Sequence, residues 1–104
     1  MFTVDTRWVK ADDCVMVKRG SGKNVRYDIV SIFDGPMGTL NLVGYGKDET
    51  TIAMKNSEEC EGFVDWAIRS HLIKKVISTR MSGFIIVYLV ELNTKTLNKM
   101  LKGA

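Results

Sequence analysis

Apolar residues at steps of three and four dominate the middle of this 104-residue sequence and constrain its fold more than any other feature. Such spacing places apolar side chains on one face of an α-helix. Asn56 or Ser57 is a suitable N-cap residue, Glu59 follows at the spacing of a capping box, and the pattern predicts a helix over residues 57–79. The residues of the predicted apolar stripe are Cys60, Phe63, Val64, Ala67, Ile68, His71, Leu72 and Val76.

Short segments rich in β-branched and aromatic residues, separated by glycine-containing turns, predict strands on either side of this helix. The predicted strands are Phe2–Asp5 at a sheet edge and residues 14–18, 25–33, 39–44, 50–54 and 84–92. The last of these is almost entirely apolar, so we expect it to be central and covered on both faces. Asn93 or Thr94 is expected to cap a short C-terminal helix that reaches Lys102.

These elements together predict an α+β fold in a single compact domain over residues 1–104. An antiparallel-rich sheet of about five or six strands would pack on one long helix, with the short C-terminal helix closing an edge. The longest apolar run, residues 83–90, is too short to span a bilayer, so no membrane partner is expected. The start of the chain lacks a secretory pattern and the two cysteines are isolated, which favours the cytoplasm.

Positive charge is concentrated in the last third of the chain. Residues 1–65 carry a net charge of −3, whereas residues 66–104 carry +6. A basic surface of this kind could face nucleic acid or an acidic protein. The alternative is that Lys74, Lys75 and Arg80 complement the dipole at the C-terminal end of the predicted helix.

The segment VKRGSGKNVRY at residues 17–27 looks like the end of a phosphate-binding loop. That loop requires glycine where Val17 stands, Ser or Thr where Asn24 stands, and a helix rather than a strand afterwards. A hairpin tip is the better interpretation, and it could contact phosphates, dock an acidic protein or remain a solvated turn. Its basic residues are Lys18, Arg19, Lys23 and Arg26.

No combination of residues predicts catalysis, a metal ion or another cofactor. His71 is the only histidine, and no pair of cysteines has the spacing of zinc ligands. Cys60 and His71 are about 16 Å apart along a straight helix, which is too far for a direct contact. We therefore expect a protein that is not an enzyme.

A second apolar line on the predicted helix is a candidate contact surface. Trp66 and Ile73 are seven residues apart, and Ile77 follows four residues later, so the three align on one helical face. They could widen the buried face, or form an exposed patch for a partner or a homodimer. Trp8 is a further candidate, because tryptophan is favoured at protein interfaces.

The absence of a catalytic constellation, the second apolar line and the charged hairpin favour a small intracellular protein-binding module. It would act as an inhibitor, adaptor or regulator of a partner protein. The alternative is a basic regulatory protein that binds nucleic acid through the hairpin and C-terminal lysines, although no known RNA- or DNA-binding motif supports it. The C-terminal basic residues of that alternative are Lys74, Lys75, Arg80, Lys95, Lys99 and Lys102.

Overall fold

Seven strands and two short α-helices form within residues 1–56 and 61–101, the ranges that this computed structural model describes. The strands are β1 (Phe2–Asp5), β2 (Lys10–Arg19), β3 (Arg26–Ser31), β4 (Gly35–Thr39), β5 (Thr51–Lys55), β6 (Ile73–Ser82) and β7 (Ile85–Leu92). The helices are α1 (Phe63–Arg69) and α2 (Thr94–Met100), and a 3₁₀ turn lies at Gly22–Asn24. Sheet A has the strand order β1-β2-β3-β4 and sheet B the order β5-β7-β6, with every neighbouring pair antiparallel.

The predicted long helix over residues 57–79 is wrong, and so is the single sheet packed on it. α1 ends at Arg69, and His71 then adopts a left-handed backbone conformation with φ of 64°, which a continuing helix excludes. Ile73–Ser82 forms β6 instead and pairs with β7. β-branched residues favour a strand there, and pairing with the apolar β7 overrides the helical spacing. The start of the predicted helix, residues 57–60, lies outside the described ranges.

Sheet A matches the sequence at its first strand and departs from it at its last. The edge strand predicted at Phe2–Asp5 is confirmed. The strand predicted at residues 39–44 is wrong, because β4 lies earlier, at Gly35–Thr39, in a segment that the sequence assigned to a turn. Residues 40–50 then form a crossing segment that carries the chain from sheet A to sheet B.

The C-terminal part follows the sequence more closely. β7 is the central strand of sheet B, although its first residues are not covered on both faces as the sequence suggested. The short helix after Asn93 is confirmed, although it ends at Met100 and Lys102 lies outside the described residues. The Asn93 side chain accepts a hydrogen bond from the Thr96 backbone N–H at 3.2 Å. Within the described ranges, no helix has the length and apolar character needed to cross a membrane.

One hydrophobic core joins the two sheets and the two helices. Full burial of a large apolar side chain stabilises a fold by about 1.5–3 kcal/mol, so this shared core fixes the sheets relative to one another. The largest fully buried side chains include Met16, Tyr27 and Ile29 from sheet A, Ile52, Met54 and Val90 from sheet B, and Phe63 from α1.

Two side chains of α1, the buried Trp66 and the exposed Arg69, donate hydrogen bonds to the free edge of β1. The indole Nε1 of Trp66 donates to the Thr3 carbonyl oxygen at 2.9 Å. The Arg69 guanidinium donates to the Asp5 carbonyl oxygen at 3.1 Å. An edge whose carbonyl groups are already bonded offers less to another strand.

The crossing segment covers the free edge of β5 in the same way. The Leu42 backbone N–H donates to the Ala53 carbonyl oxygen at 2.8 Å, and the Lys47 N–H donates to the Thr51 carbonyl oxygen at 2.8 Å. Asn41 holds the start of this segment against β3. Its side chain accepts from the Tyr27 N–H at 3.0 Å and donates to the Val25 carbonyl oxygen at 2.9 Å.

We expect Asn41→Ala to lower the free energy of unfolding by about 2–4 kcal/mol, because two buried backbone groups lose their partners. Urea denaturation at neutral pH measures this change. Asn98→Ala is the matched control, since Asn98 is exposed on α2 and its truncation should change stability by no more than about 0.5 kcal/mol. Equal effects of the two substitutions would contradict the role of Asn41.

Candidate interaction surface

The β6–β7 hairpin projects past the end of β5. β5 pairs with β7 only from Val87 to Glu91. β6 and β7 continue to pair beyond that limit, as far as Ser82 and Ile85, before the chain turns. We name residues 81–86 the arm tip. In the described part of the chain, its two strands have no third strand beside them.

Exposed apolar side chains cluster at the arm tip. Phe84 is fully exposed, Met81 is 65% exposed and Ile86 is 43% exposed. Met81 and Ile86 are register partners, so their side chains lie on the same face of the hairpin. Val76 and Ile77 extend the exposed apolar character along β6. Adjacent exposed apolar side chains of this kind are typical of a surface that a partner covers.

The outer edge of β6 is open. Across residues 1–56 and 61–101, only β7 forms hydrogen bonds with the backbone of β6. The register shifts between Ile73 and Lys75 and again between Val76 and Ser78. Bulges and lysines make an edge less receptive to uncontrolled strand pairing. The regularly paired, open stretch is therefore residues 78–82, which runs into the arm tip at Met81.

The cations Lys74, Lys75 and Arg80 lie on β6 and not at the end of a helix. Lys74 Nζ lies 3.8 Å from Glu91 Oε2. None of the carboxylates in the described ranges lies within salt-bridge distance of Lys75 or Arg80. These two charges are therefore available to an external group.

The β6–β7 hairpin, residues 73–92, which we call the arm, has one apolar and one cationic face. Arg80 pairs in register with Val87, whereas Met81 pairs with Ile86. Successive residues of a strand point to opposite faces, so Arg80 lies on the face opposite Met81 and Ile86. Lys75, whose register partner Glu91 is four residues from Val87, shares the face of Arg80.

The hairpin tip at residues 17–27 is bound to the crossing segment. Lys18 forms a salt bridge with Glu49, and the Gly22 backbone N–H donates to the same carboxylate at 3.2 Å. Lys23 lies exposed in the 3₁₀ turn of the tip. The charge of Lys18 is thus matched within the chain, which reduces the attraction of this tip for an external anion.

Arg19 and Arg26 both bind Asp28 on the outer face of sheet A. Their Nε atoms lie 3.1 Å and 2.9 Å from the two carboxylate oxygens, and the Thr39 hydroxyl donates to Oδ1 at 2.8 Å. Burial alone would raise the pKa of Asp28, but hydrogen bonds from Thr39, Arg26 and Arg19 outweigh it and lower the pKa from its ordinary value.

The structure does not bring Trp66, Ile73 and Ile77 together on one helix. Trp66 is 3% exposed in α1 and packs against Phe2, with ring centres 5.7 Å apart. Ile73 is buried at the start of β6, and only Ile77 is exposed. Trp66 and Ile73 are therefore core residues, and the proposed helical line does not exist.

Trp8 is exposed but held by neighbouring charged side chains. Its Nε1 donates to Glu61 Oε2 at 2.9 Å, and the Arg7 guanidinium lies 5.1 Å from the ring centre. Arg7 also lies 3.7 Å from Glu61 Oε1. These contacts tie the β1–β2 connection to the chain just before α1, which gives Trp8 a structural role.

The residues that sequence analysis considered for chemistry do not form a cluster. His71 is exposed after α1, whereas Cys14 is buried in β2, where burial raises the pKa of its thiol. Cys60 lies outside the described residues. Within the described ranges, no group of three or more His, Cys, Asp or Glu side chains has the arrangement of a metal site.

Sequence analysis missed the arm tip, although the sequence contains a signal for it. The turn between β6 and β7 contains Phe84, and Met81 lies just before it, whereas turns usually consist of polar residues. No protein-family model, curated protein or solved structure matches this chain. The role of the surface must therefore be inferred from its geometry.

We expect Asp28→Asn to lower the free energy of unfolding by about 1–3 kcal/mol at neutral pH, because charge-assisted hydrogen bonds from two arginines are lost. Since the folded state lowers the pKa of Asp28, its carboxylate stabilises the fold above the ordinary value of 3.8. That contribution is lost as the pH falls through the folded-state pKa. The stability difference between wild type and variant should therefore shrink on acidification, as measured by urea denaturation between neutral and strongly acidic pH.

Asp34→Asn is the control for this titration, because Asp34 is exposed in the β3–β4 turn. It should change stability by no more than about 0.5 kcal/mol at neutral pH. A destabilisation by Asp28→Asn that stays constant from neutral to strongly acidic pH would rule out the charged pair as its cause.

Proposed function

We propose that this protein is a non-enzymatic protein-binding module and that the β6–β7 arm is its binding element. The arm tip supports the proposal most directly, because Met81, Phe84 and Ile86 expose apolar surface on a hairpin that extends beyond the third strand of its sheet. Burial of these side chains by a partner would release water from apolar surface, which favours association. Aromatic and methionine side chains are enriched in protein interfaces.

The open edge of β6 adds a second contribution to binding. A partner strand can add to an exposed sheet edge through backbone hydrogen bonds, while side-chain contacts supply specificity. The regular stretch at residues 78–82 offers such an edge next to the apolar tip. The two contacts are contiguous, so a single partner segment could use both.

A different protein is a better partner than a second copy of this chain. A symmetric antiparallel pairing of the regular stretch at residues 78–82 would be centred on Arg80 and would set Arg80 of one copy opposite Arg80 of the other. Like charges directly opposite one another destabilise a strand pair. The module would therefore act on another protein in the cytoplasm, as an inhibitor, adaptor or regulator that occupies its surface.

Nucleic-acid binding through the hairpin is less well supported. Lys18 is paired with Glu49, and Arg19 and Arg26 are paired with Asp28. A phosphate backbone would have to compete with these carboxylates for the same cations. Binding that disappears after nuclease treatment and falls steeply with salt would favour this alternative over a protein partner.

We expect the double substitution Met81→Ser with Phe84→Ser to weaken partner binding by about 2 kcal/mol, roughly thirtyfold, which is the scale of an interface hot spot. The partner is first captured from nuclease-treated native lysate, and its affinity for each variant is then measured by calorimetry. Both side chains are exposed, so the free energy of unfolding should stay within about 1 kcal/mol of wild type.

Phe33→Ser provides the matched control, because Phe33 is 77% exposed in the β3–β4 turn, which belongs to sheet A. This variant should bind the partner with wild-type affinity. If it loses as much affinity as the double variant, or if the double variant binds normally, the arm is not the binding element.

A further inference from the structure

A groove with a volume of about 260 Å³ crosses the outer face of sheet B. Ala53, Val87 and Leu89 form its floor, and Ser78 and Arg80 of β6 form one wall. Leu89 pairs in register with both Ala53 and Ser78, so the three residues lie side by side across the sheet. The groove therefore lies on the cationic face of the arm and reaches the open stretch of β6.

The opposite wall consists of Tyr45 and Lys47 from the crossing segment. This wall is held close to β5, since a side chain at Gly46 would bring its Cβ within 2.6 Å of the Thr51 carbonyl oxygen. The Asp48 carboxylate accepts hydrogen bonds from the Thr50 and Thr51 backbone N–H groups, both at 2.9 Å. These contacts hold the crossing segment against β5, so Tyr45 and Lys47 keep a fixed place on the groove wall.

The groove carries positive charge that the described part of the chain does not neutralise. Lys47 and Arg80 stand on its two walls, and neither has a carboxylate within salt-bridge distance in residues 1–56 and 61–101. Lys75 lies on the same face of β6 as Arg80. Two opposed cations above an apolar floor suit an anionic group that is attached to an apolar chain.

We propose that this groove receives acidic side chains from an extended segment of the partner protein, which lies over the outer face of sheet B between Arg80 and Lys47. The inference rests on the proposed function and assigns the chemistry of its partner. Every second side chain of an extended strand points to the same face, so alternate carboxylates of the segment would lie along the cationic face of the arm. Arg80 would bind one carboxylate through its planar guanidinium, and Lys47 would bind another or the same one.

A direct test uses a short extended peptide of alternating glutamate and valine, titrated into the isotopically labelled full chain and followed by NMR. We expect saturable shifts at the backbone amides of Lys47, Ser78, Arg80 and Leu89. The same peptide with glutamine in place of glutamate should bind at least about tenfold more weakly. Shifts that are absent, or equal for the two peptides, would overturn the proposal.

Charge-removing variants locate the binding site. Lys47→Gln and Arg80→Gln should each weaken binding of the glutamate peptide about tenfold, equivalent to about 1.4 kcal/mol. Lys95→Gln is the control, because Lys95 is exposed on α2 and lies outside the groove lining, and it should bind as wild type. If Lys95→Gln weakens binding as much as Arg80→Gln, general charge attraction explains the result and the groove is not a specific site.

Two further probes distinguish a carboxylate ligand from a phosphate ligand. A single-stranded oligonucleotide or an anionic lipid vesicle that shifts the same amides at lower concentration than the peptide would overturn the protein segment as the occupant.

The two proposals fail in different ways. Partner capture that survives Met81→Ser with Phe84→Ser overturns the proposed function. Peptide binding that is unaffected by Lys47→Gln and Arg80→Gln, while partner capture still requires the arm tip, overturns only the groove.

Discussion

Backbone hydrogen bonding at the sheet edges is the constraint on which the rest of the structure depends. α1 supplies Trp66 and Arg69 to the carbonyl groups of β1, and the crossing segment supplies backbone N–H groups to β5. β4 contains Pro36, which has no N–H to offer another strand. β6 differs from these edges, since within residues 1–56 and 61–101 nothing pairs with the outer side of its regular stretch beside the apolar tip. Three edges are thus protected within the fold, and the fourth is the edge that we propose as a binding element.

The failed helix prediction shows how far local spacing determines this fold. Phe63, Val64, Ala67 and Leu72 do follow helical spacing and are buried, whereas Ile68 of the same predicted stripe is 47% exposed. Val76 also falls on that helical spacing, but it lies in β6. The two register shifts between β6 and β7 disturb the apolar–polar alternation that would otherwise mark a strand in the sequence. The deciding partner, β7, lies further along the chain, so no local pattern could reveal it. α2 was predictable because Asn93, Leu97 and Met100 define it locally.

The candidate surface was only partly predictable for the same reason. The sequence identified Lys74, Lys75 and Arg80 as a basic group, but it could not place them on one hairpin with Met81 and Phe84. Conversely, the sequence offered the cations of residues 17–27 as a binding group, because Lys18 and Glu49 are too far apart in the chain for their ion pair to be predicted. Which charges remain free depends on which residues form ion pairs in the folded chain. A count of charged residues along the sequence does not show those pairs.

The Gly-Ser-Gly-Lys turn does bind an anion, and that anion belongs to the chain itself. Gly22, at φ of 58°, directs its N–H to the Glu49 carboxylate, which also pairs with Lys18. The Tyr27 hydroxyl donates to the Glu49 carbonyl oxygen at 2.6 Å. Glu49 is two residues from Lys47, which stands on the groove wall. The likeness to a phosphate-binding loop is therefore partial, because the Gly22 backbone donor binds a carboxylate while the lysine that pairs with it is Lys18 and not Lys23. Through these contacts the hairpin tip of sheet A braces the segment that carries the groove wall of sheet B.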